Sequence, residues 1–204
     1  ITAVLRKIEK GSPHATLGSN ISNSSKQEAV DTFNYLASYL RTPSDMVIDY
    51  GCGTLRVGQH FIKSLNTGQY TGMDLDERIL DAGASLLSDQ DRAKNPLLLP
   101  INEENLNKVA QQQAQLVFCR GVLHHVPPSE LVGFFQNLAK IGQKAAIVVG
   151  IKRGPITKRI SKRSWTHQVD DVINAAKKGG LSLINDDQRW LSFKIVASAQ
   201  GRPG

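Results

Sequence analysis

The sequence is poor in cysteine, in long apolar runs and in aromatic residues. Its 204 residues hold two cysteines, Cys52 and Cys119. That is too few for a disulfide-stapled scaffold, and the pair does not stand in a metal-ligand spacing. No apolar stretch approaches the length of a membrane span, and no secretory signal pattern is present. The first residue is Ile1, so what precedes it stays open. A reduced, cytoplasmic compartment is the expectation. There is no internal repeat and no sign of a second domain. Hydrophobic residues make up 40% of the chain and charged residues 21%, the composition of a globular chain long enough for one full core.

Acids are also scarce relative to bases: 25 lysines and arginines stand against 18 aspartates and glutamates, a formal charge of +7. Part of the excess is local. Residues 152–163 hold Lys152, Arg153, Lys158, Arg159, Lys162 and Arg163 and no acid. Such a block attracts a phosphate- or carboxylate-bearing acceptor, an RNA or an anionic membrane surface; it reads equally as a solvated loop. It lacks the interleaved aromatics on which single-stranded nucleic acid stacks, which disfavours RNA.

Apolar positions Ala29, Val30, Phe33, Leu36, Ala37 and Leu40 predict a helix over 26–40, with Ser25 and Glu28 in a capping-box pattern at its start. Strand-like runs follow at 46–49, 69–74, 96–101, 115–119 and 145–149, separated by helical patterns. The helix carrying Leu131 to Ala139 closes at Gly142. This alternation predicts a parallel sheet covered on both faces. A helix is expected over 165–178, then two strand-like runs, Leu181 to Ile184 and Trp190 to Ala199, joined by a turn at Asn185-Asp186-Asp187. Residues 1–25 read as a flexible leading segment, rich in Ser, Asn and Gly from 11 onward; 26–199 as one domain; and 200–204 as a tail.

The most informative stretch is Met46-Val-Ile-Asp-Tyr-Gly-Cys-Gly-Thr-Leu-Arg-Val-Gly58. An apolar strand ends at Asp49, and a glycine turn, Gly51 and Gly53, leads into a helix. Glycine at these positions lets a ligand lie close against backbone, and the first amides of the helix stay free to face it. A dinucleotide fingerprint would place a third glycine at 56, where this chain has Arg56. Asp49 suits a cofactor that carries positive charge and no phosphate. Asp74 closes the second strand about 20 residues beyond the turn, where an acid can accept hydrogen bonds from ribose hydroxyls. Asp76 reads as the N-cap of the next helix.

Val-Ile-Asp-Tyr-Gly-Cys-Gly-Thr resembles the first motif of class I S-adenosylmethionine-dependent methyltransferases, (D/E)-x-G-x-G-x-G, in a G-C-G-x-L-R-x-G variant whose third motif glycine falls on Leu55. Leu116-Val-Phe-Cys-Arg-Gly-Val-Leu-His-His-Val126 resembles the fourth motif of the small-molecule branch, with Gln115 where an acid usually stands. The resemblance spans about residues 26–199. It implies a Rossmann-like three-layer sandwich of about seven strands, mostly parallel, with one antiparallel strand in a C-terminal hairpin. It also implies S-adenosyl-L-methionine as cofactor. The glycine turn, Asp49 and Cys52 would then meet the cofactor directly, Asp74 would bind its ribose, and Leu75 would pack on adenine. Asn102, with Glu103 as the other candidate, would accept from the adenine amino group. Cys119 to Gly121 would pass under the methionine part, and Arg56 and Arg120 would flank its carboxylate. His124, His125 and His167 are the candidate bases, with structural roles as the alternative for each. The (N/D/S)-P-P-(Y/F/W) mark of amine and amide methylation is missing, and Pro127-Pro128 reads as a helix entry.

Transfer to a small or medium-sized acceptor is the leading expectation, an anionic one being among those the basic block would suit. An RNA or protein methyltransferase that uses the 152–163 block is a second reading, and a non-catalytic cofactor-binding or interaction subunit a third. A nicotinamide oxidoreductase is disfavoured by Asp49 and the absent third glycine. The sequence carries no expectation for oligomeric state.

Overall fold

The computed structural model describes residues 23–162 and 164–196. The expected flexible segment, up to residue 22, and the tail at 200–204 lie outside the described residues. The chain starts with helix α1 (Asn23–Ala37), strand β1 (Val47–Tyr50), α2 (Gly58–Ser64) and β2 (Tyr70–Asp74). Next come α3 (Glu77–Ser85), α4 (Asp89–Ala93), β3 (Leu97–Pro100), α5 (Glu103–Ala110), β4 (Leu116–Cys119), α6 (Leu131–Ile141) and β5 (Ala146–Gly150). A short hairpin, β6 (Lys158–Ser161) and β7 (Ser164–Thr166), precedes α7 (Val169–Lys178), β8 (Leu181–Asp186) and β9 (Trp190–Ile195).

Seven strands form one sheet in the order β3-β2-β1-β4-β5-β9-β8. Strands β1 to β5 run parallel, and β9 pairs antiparallel with both β5 and β8. This is the mostly parallel sandwich with an antiparallel closing hairpin that the sequence predicts. The central strands β1, β4 and β5 are near-continuous apolar runs, as expected where both faces are covered. Alternate residues serve different layers. Ile48, Val117, Ile147 and Val149 pack with Leu106, Phe135, Leu138 and Val172 from α5, α6 and α7. Val47, Leu116, Phe118 and Val148 pack with Leu36, Phe61, Ile62 and Leu65 from the α1–α2 side. Each such large apolar side chain, fully removed from water, contributes about 1.5–3 kcal/mol. No helix among the described residues is long and apolar enough to cross a membrane.

Three local expectations are corrected. α1 begins at Asn23, ahead of the expected cap at Ser25. Residues 164–166 are strand, and α7 starts only at Val169; Ser-Trp-Thr has β-type side chains that pair with the preceding basic segment. The closing turn falls after Asp186, because β8 continues through Asn185 and Asp186 past a register shift. The Asp187 carboxylate then accepts from Trp190 N at 2.8 Å and fixes that turn.

Leu55 shows why the motif departs from glycine. Its φ is +65°, a left-handed backbone that glycine adopts without strain. Its side chain is nonetheless fully buried, in the α1–α2 core. Core packing therefore outweighs a backbone cost of about 1–2 kcal/mol. Replacing the side chain would forfeit about 2–5 kcal/mol of packing. Leu55→Gly is accordingly expected to lower unfolding stability by a net of about 1–3 kcal/mol in urea titration. A gain in stability would show that the turn, rather than the core, dictates this position.

Candidate active site

Strand order reverses between β1 and β4: the chain proceeds from β1 outward to β2 and β3, then returns to the other side of β1. A crevice opens beyond the carboxyl ends of strands at such a switch point. Here it is a cleft of about 1260 Å³. The β1 turn from Asp49 to Val57 lines one wall and the segment after β4, including Arg120, Gly121, Val122, His124 and His125, lines the other.

Gly51 and Gly53 have φ of +82° and +56°. A Cβ on Gly51 would sit 2.1 Å from Val122 Cγ2, so the turn packs directly on the opposite wall. Nothing lies within 4 Å of a Cβ built on Gly53, whose outer side is open. Asp74 ties the turn in place: its carboxylate accepts from Gly53 N at 2.9 Å and from Leu75 N at 2.8 Å. Its partial burial raises the carboxyl pKa, and the backbone donors oppose that rise. Leu75 is 67% exposed and lines the same cleft, an apolar side chain left facing open space. Asp76 caps α3 by accepting from Arg78 N.

Asp49 is buried beneath the turn and accepts from the Tyr70 hydroxyl at 3.0 Å. Burial pushes its carboxyl up to about 8; the Tyr70 bond and Arg120 pull it down, and Asp74 adds to the rise. Burial likewise pushes the Cys52 and Cys119 thiols up, so both remain protonated near neutrality. His124 and His125 line the cleft with ring centroids 3.9 Å apart. Burial pulls His124 down to about 4, assisted by His125, Lys152 and His167. Its imidazole is therefore neutral at physiological pH.

Of the residues singled out from the sequence, Asp49, Gly51, Cys52, Gly53, Arg56, Asp74, Leu75, Arg120, His124 and His125 all line this cleft. Three do not. Cys119 is the last residue of β4, not the first of the loop, and strand parity turns it into the α5–α6 core. Asn102 is the N-cap of α5, accepting from Asn105 N at 2.8 Å; its neighbour Ile101 lines the cleft instead. His167 is buried, its Nε2 donating to Leu123 O at 3.0 Å, which anchors the turn that carries His124.

The sequence reading missed other wall residues. Tyr50, Phe134 and Asn137 form a flank in which Asn137 Nδ2 donates to the Tyr50 hydroxyl at 3.1 Å. Arg159, Lys162 and Trp165 reach the mouth from the β6–β7 hairpin. Arg159 and Trp165 are cross-strand partners, the guanidinium 5.9 Å from the indole centroid. The available signal was the pattern Lys-Arg-Ile-Ser-Lys-Arg-Ser-Trp-Thr, β-prone residues on both sides of a polar turn.

The profile of a family described as "Methyltransferase domain" matches residues 48–142. Among curated proteins, none matches the chain significantly. Among solved structures, magnesium protoporphyrin IX methyltransferase from Synechocystis, with bound SAH (S-adenosyl-L-homocysteine), is 14% identical at a TM-score of 0.65, covering 94% of this chain and 94% of that one. Streptomyces venezuelae DesVI is 14% identical at 0.60, covering 96% and 98%. The glycopeptide N-methyltransferase MtfA, complexed with (S)-adenosyl-L-homocysteine, is 10% identical at 0.59, covering 84% and 86%. At these identities the likeness establishes the fold: the chain has the methyltransferase form of the Rossmann-like sandwich.

The raised pKa of Asp49 has a definite sign. The folded chain favours the protonated carboxyl, so stability falls as pH rises from the ordinary carboxylate range through about 8. Asp49→Asn keeps an acceptor for Tyr70 and removes the ionisation. It should raise unfolding stability by roughly 2–4 kcal/mol at pH 8, with the gap narrowing toward pH 5 in denaturant titrations. An equal gap at both pH values would show that Asp49 is not a buried titrating acid.

Proposed function

We propose that the chain is an S-adenosylmethionine-dependent methyltransferase acting on a small, anionic acceptor. The observation that carries this reading is the left-handed glycine turn at the sheet's switch point, open at Gly53 and braced by Asp74. The cleft fits the cofactor in three respects. Asp74 keeps unshared lone pairs beside the backbone amides it accepts from, which suits ribose hydroxyls. Leu75 and Ile101 offer apolar surface for an adenine face. Asp49 lies below the turn where a cationic methionine end would sit, and Arg56 and Arg120 stand at the same end of the cleft for its carboxylate.

When bound, the cofactor would supply an activated methyl on a sulfonium, which becomes a neutral thioether once that methyl has passed to the acceptor. The protein's task is then mainly alignment and exclusion of water. Asp49 gains from a neighbouring cation, which favours its ionised form and offsets its burial. His124, neutral near pH 7, is suited to accept a hydrogen bond from the acceptor's N–H or O–H as that proton becomes acidic. Arg159 and Lys162 at the mouth favour an acceptor bearing a carboxylate or phosphate, and the Trp165 ring offers a flat apolar wall beside them. These mouth groups favour the small-acceptor reading over a polymer, because they line a cleft instead of forming an extended track.

Two measurements test the cofactor assignment. Asp74→Ala should weaken binding of S-adenosylhomocysteine by about 1–3 kcal/mol in calorimetry, through lost hydrogen bonds to ribose and to Gly53 N; unchanged affinity removes Asp74 from the site. Thermal stabilisation by NAD alone, with none from S-adenosylmethionine, would replace the cofactor assignment altogether. For the acceptor, a panel of acids and their neutral isosteres should show turnover of acids only. Arg159→Ala with Lys162→Ala should raise KM for the acid roughly tenfold, as expected for two lost charge-assisted contacts, and leave cofactor affinity unchanged.

A further inference from the structure

Arg120 and Arg56 are cleft-lining cations, and both face a carboxylate that the chain itself provides. Glu28, on the second turn of α1, places Oε1 2.5 Å from an Arg120 terminal nitrogen and Oε2 4.0 Å from an Arg56 terminal nitrogen. The arginine side chains are 15% and 26% exposed, whereas Glu28 is 57% exposed. The glutamate therefore reaches in from the rim, while the arginines belong to the wall. The other carboxyl near Arg120 is Asp49, whose burial favours its protonated form. Glu28 is thus the anion that Arg120 pairs with. Elsewhere α1 is held by apolar contacts: Ala29 is buried, and Phe33 packs edge-on against Phe61 at 5.0 Å between centroids.

We infer that Glu28 competes with the α-carboxylate of the cofactor for Arg120 and Arg56, so that seating the cofactor releases the start of α1 from the cleft rim. This rests on the cofactor assignment above. The Arg120 and Arg56 nitrogens that face Glu28 are not open to a second carboxylate while that pair is intact. Glu28 is already more than half in water, so its release changes its hydration little. What is lost is an ion pair of modest worth at a partly exposed site. Glu28 therefore sets how tightly the amino-acid tail of the cofactor is held and leaves the adenosyl half unaffected. The apolar contacts of Ala29 and Phe33 keep the rest of the helix docked while its first turns move.

The test compares two ligands in calorimetry with the full chain. S-adenosylhomocysteine carries the carboxylate; 5′-methylthioadenosine has the same adenosyl thioether without the amino-acid tail. Glu28→Gln removes the charge and keeps the size, and its melting curve reports whether the fold is intact. The expected result is a roughly two- to fivefold tighter binding of S-adenosylhomocysteine by the variant, no change for 5′-methylthioadenosine, and a gap that shrinks in high salt. Unchanged or weaker binding of S-adenosylhomocysteine overturns the inference, because Glu28 would then be neutral toward or supportive of the tail. Equal tightening of both ligands also overturns it, since the effect would be general opening of the rim. If wild type binds neither ligand, the cofactor assignment fails first, and the inference falls with it.

Discussion

The hydrogen bond from Gly53 N to the Asp74 carboxylate joins the end of β2 to the turn after β1. It holds a left-handed loop in the shape that leaves backbone exposed to the cleft. Two strands therefore define one site. The acid is positioned by the register of Tyr50 with Met73 in the sheet, and the loop is positioned by the acid. Gly51 depends on the same arrangement, since its N–H donates to Met73 O at 2.7 Å. The rest of the cleft is built outward from this junction: Leu75 follows the acid, Arg56 follows the loop, and the β4 segment closes over Gly51 through Val122.

Much of this was legible in the sequence because it rests on local rules. Apolar runs of strand length alternating with helical stripes specify a parallel sheet. A Gly-x-Gly after such a run specifies a tight turn at its end. Asp74 and Asp76 separate cleanly into turn-bracing and capping roles because a helix N-cap falls at a predictable distance from the next periodic apolar residues. What failed was parity and competition. Cys119 needed the strand end known to one residue, since a shift of one reverses its face. Asn102 had two uses open to it, and the unsatisfied amides at the start of α5 claimed its side chain. Arg159 and Trp165 pair across a short local hairpin, and the basic composition of residues 152–163 drew the reading toward a loop and hid the β-prone residues flanking its turn.

Electrostatically the cleft is divided. Two carboxyls, Asp49 and Asp74, lie at the strand ends, a third, Glu130, lines the wall, and four cations, Arg56, Arg120, Arg159 and Lys162, line the cleft with them. Asp49 is held under Tyr70 and away from water, which is costly for a charge and useful for meeting one. His167 contributes from behind the wall. Its Nδ1 has no hydrogen-bond partner among the described residues, and its Nε2 holds the Leu123 carbonyl. The hairpin and the histidine-bearing turn are thereby fastened to one another, since Gly154 N also donates to His167 O at 3.1 Å.

The position of β9 bears on how the chain acquires its shape during synthesis. It follows all other described strands in the sequence, yet it sits inside the sheet between β5 and β8. Until Trp190–Ile195 has emerged, β5 presents a bare row of amides and carbonyls, and β8 has no sheet to join. That edge of β5 therefore stays open to mispairing in the nascent chain until β9 arrives. The last hydrogen-bonded ladder to be laid down is also the one that seals the sheet.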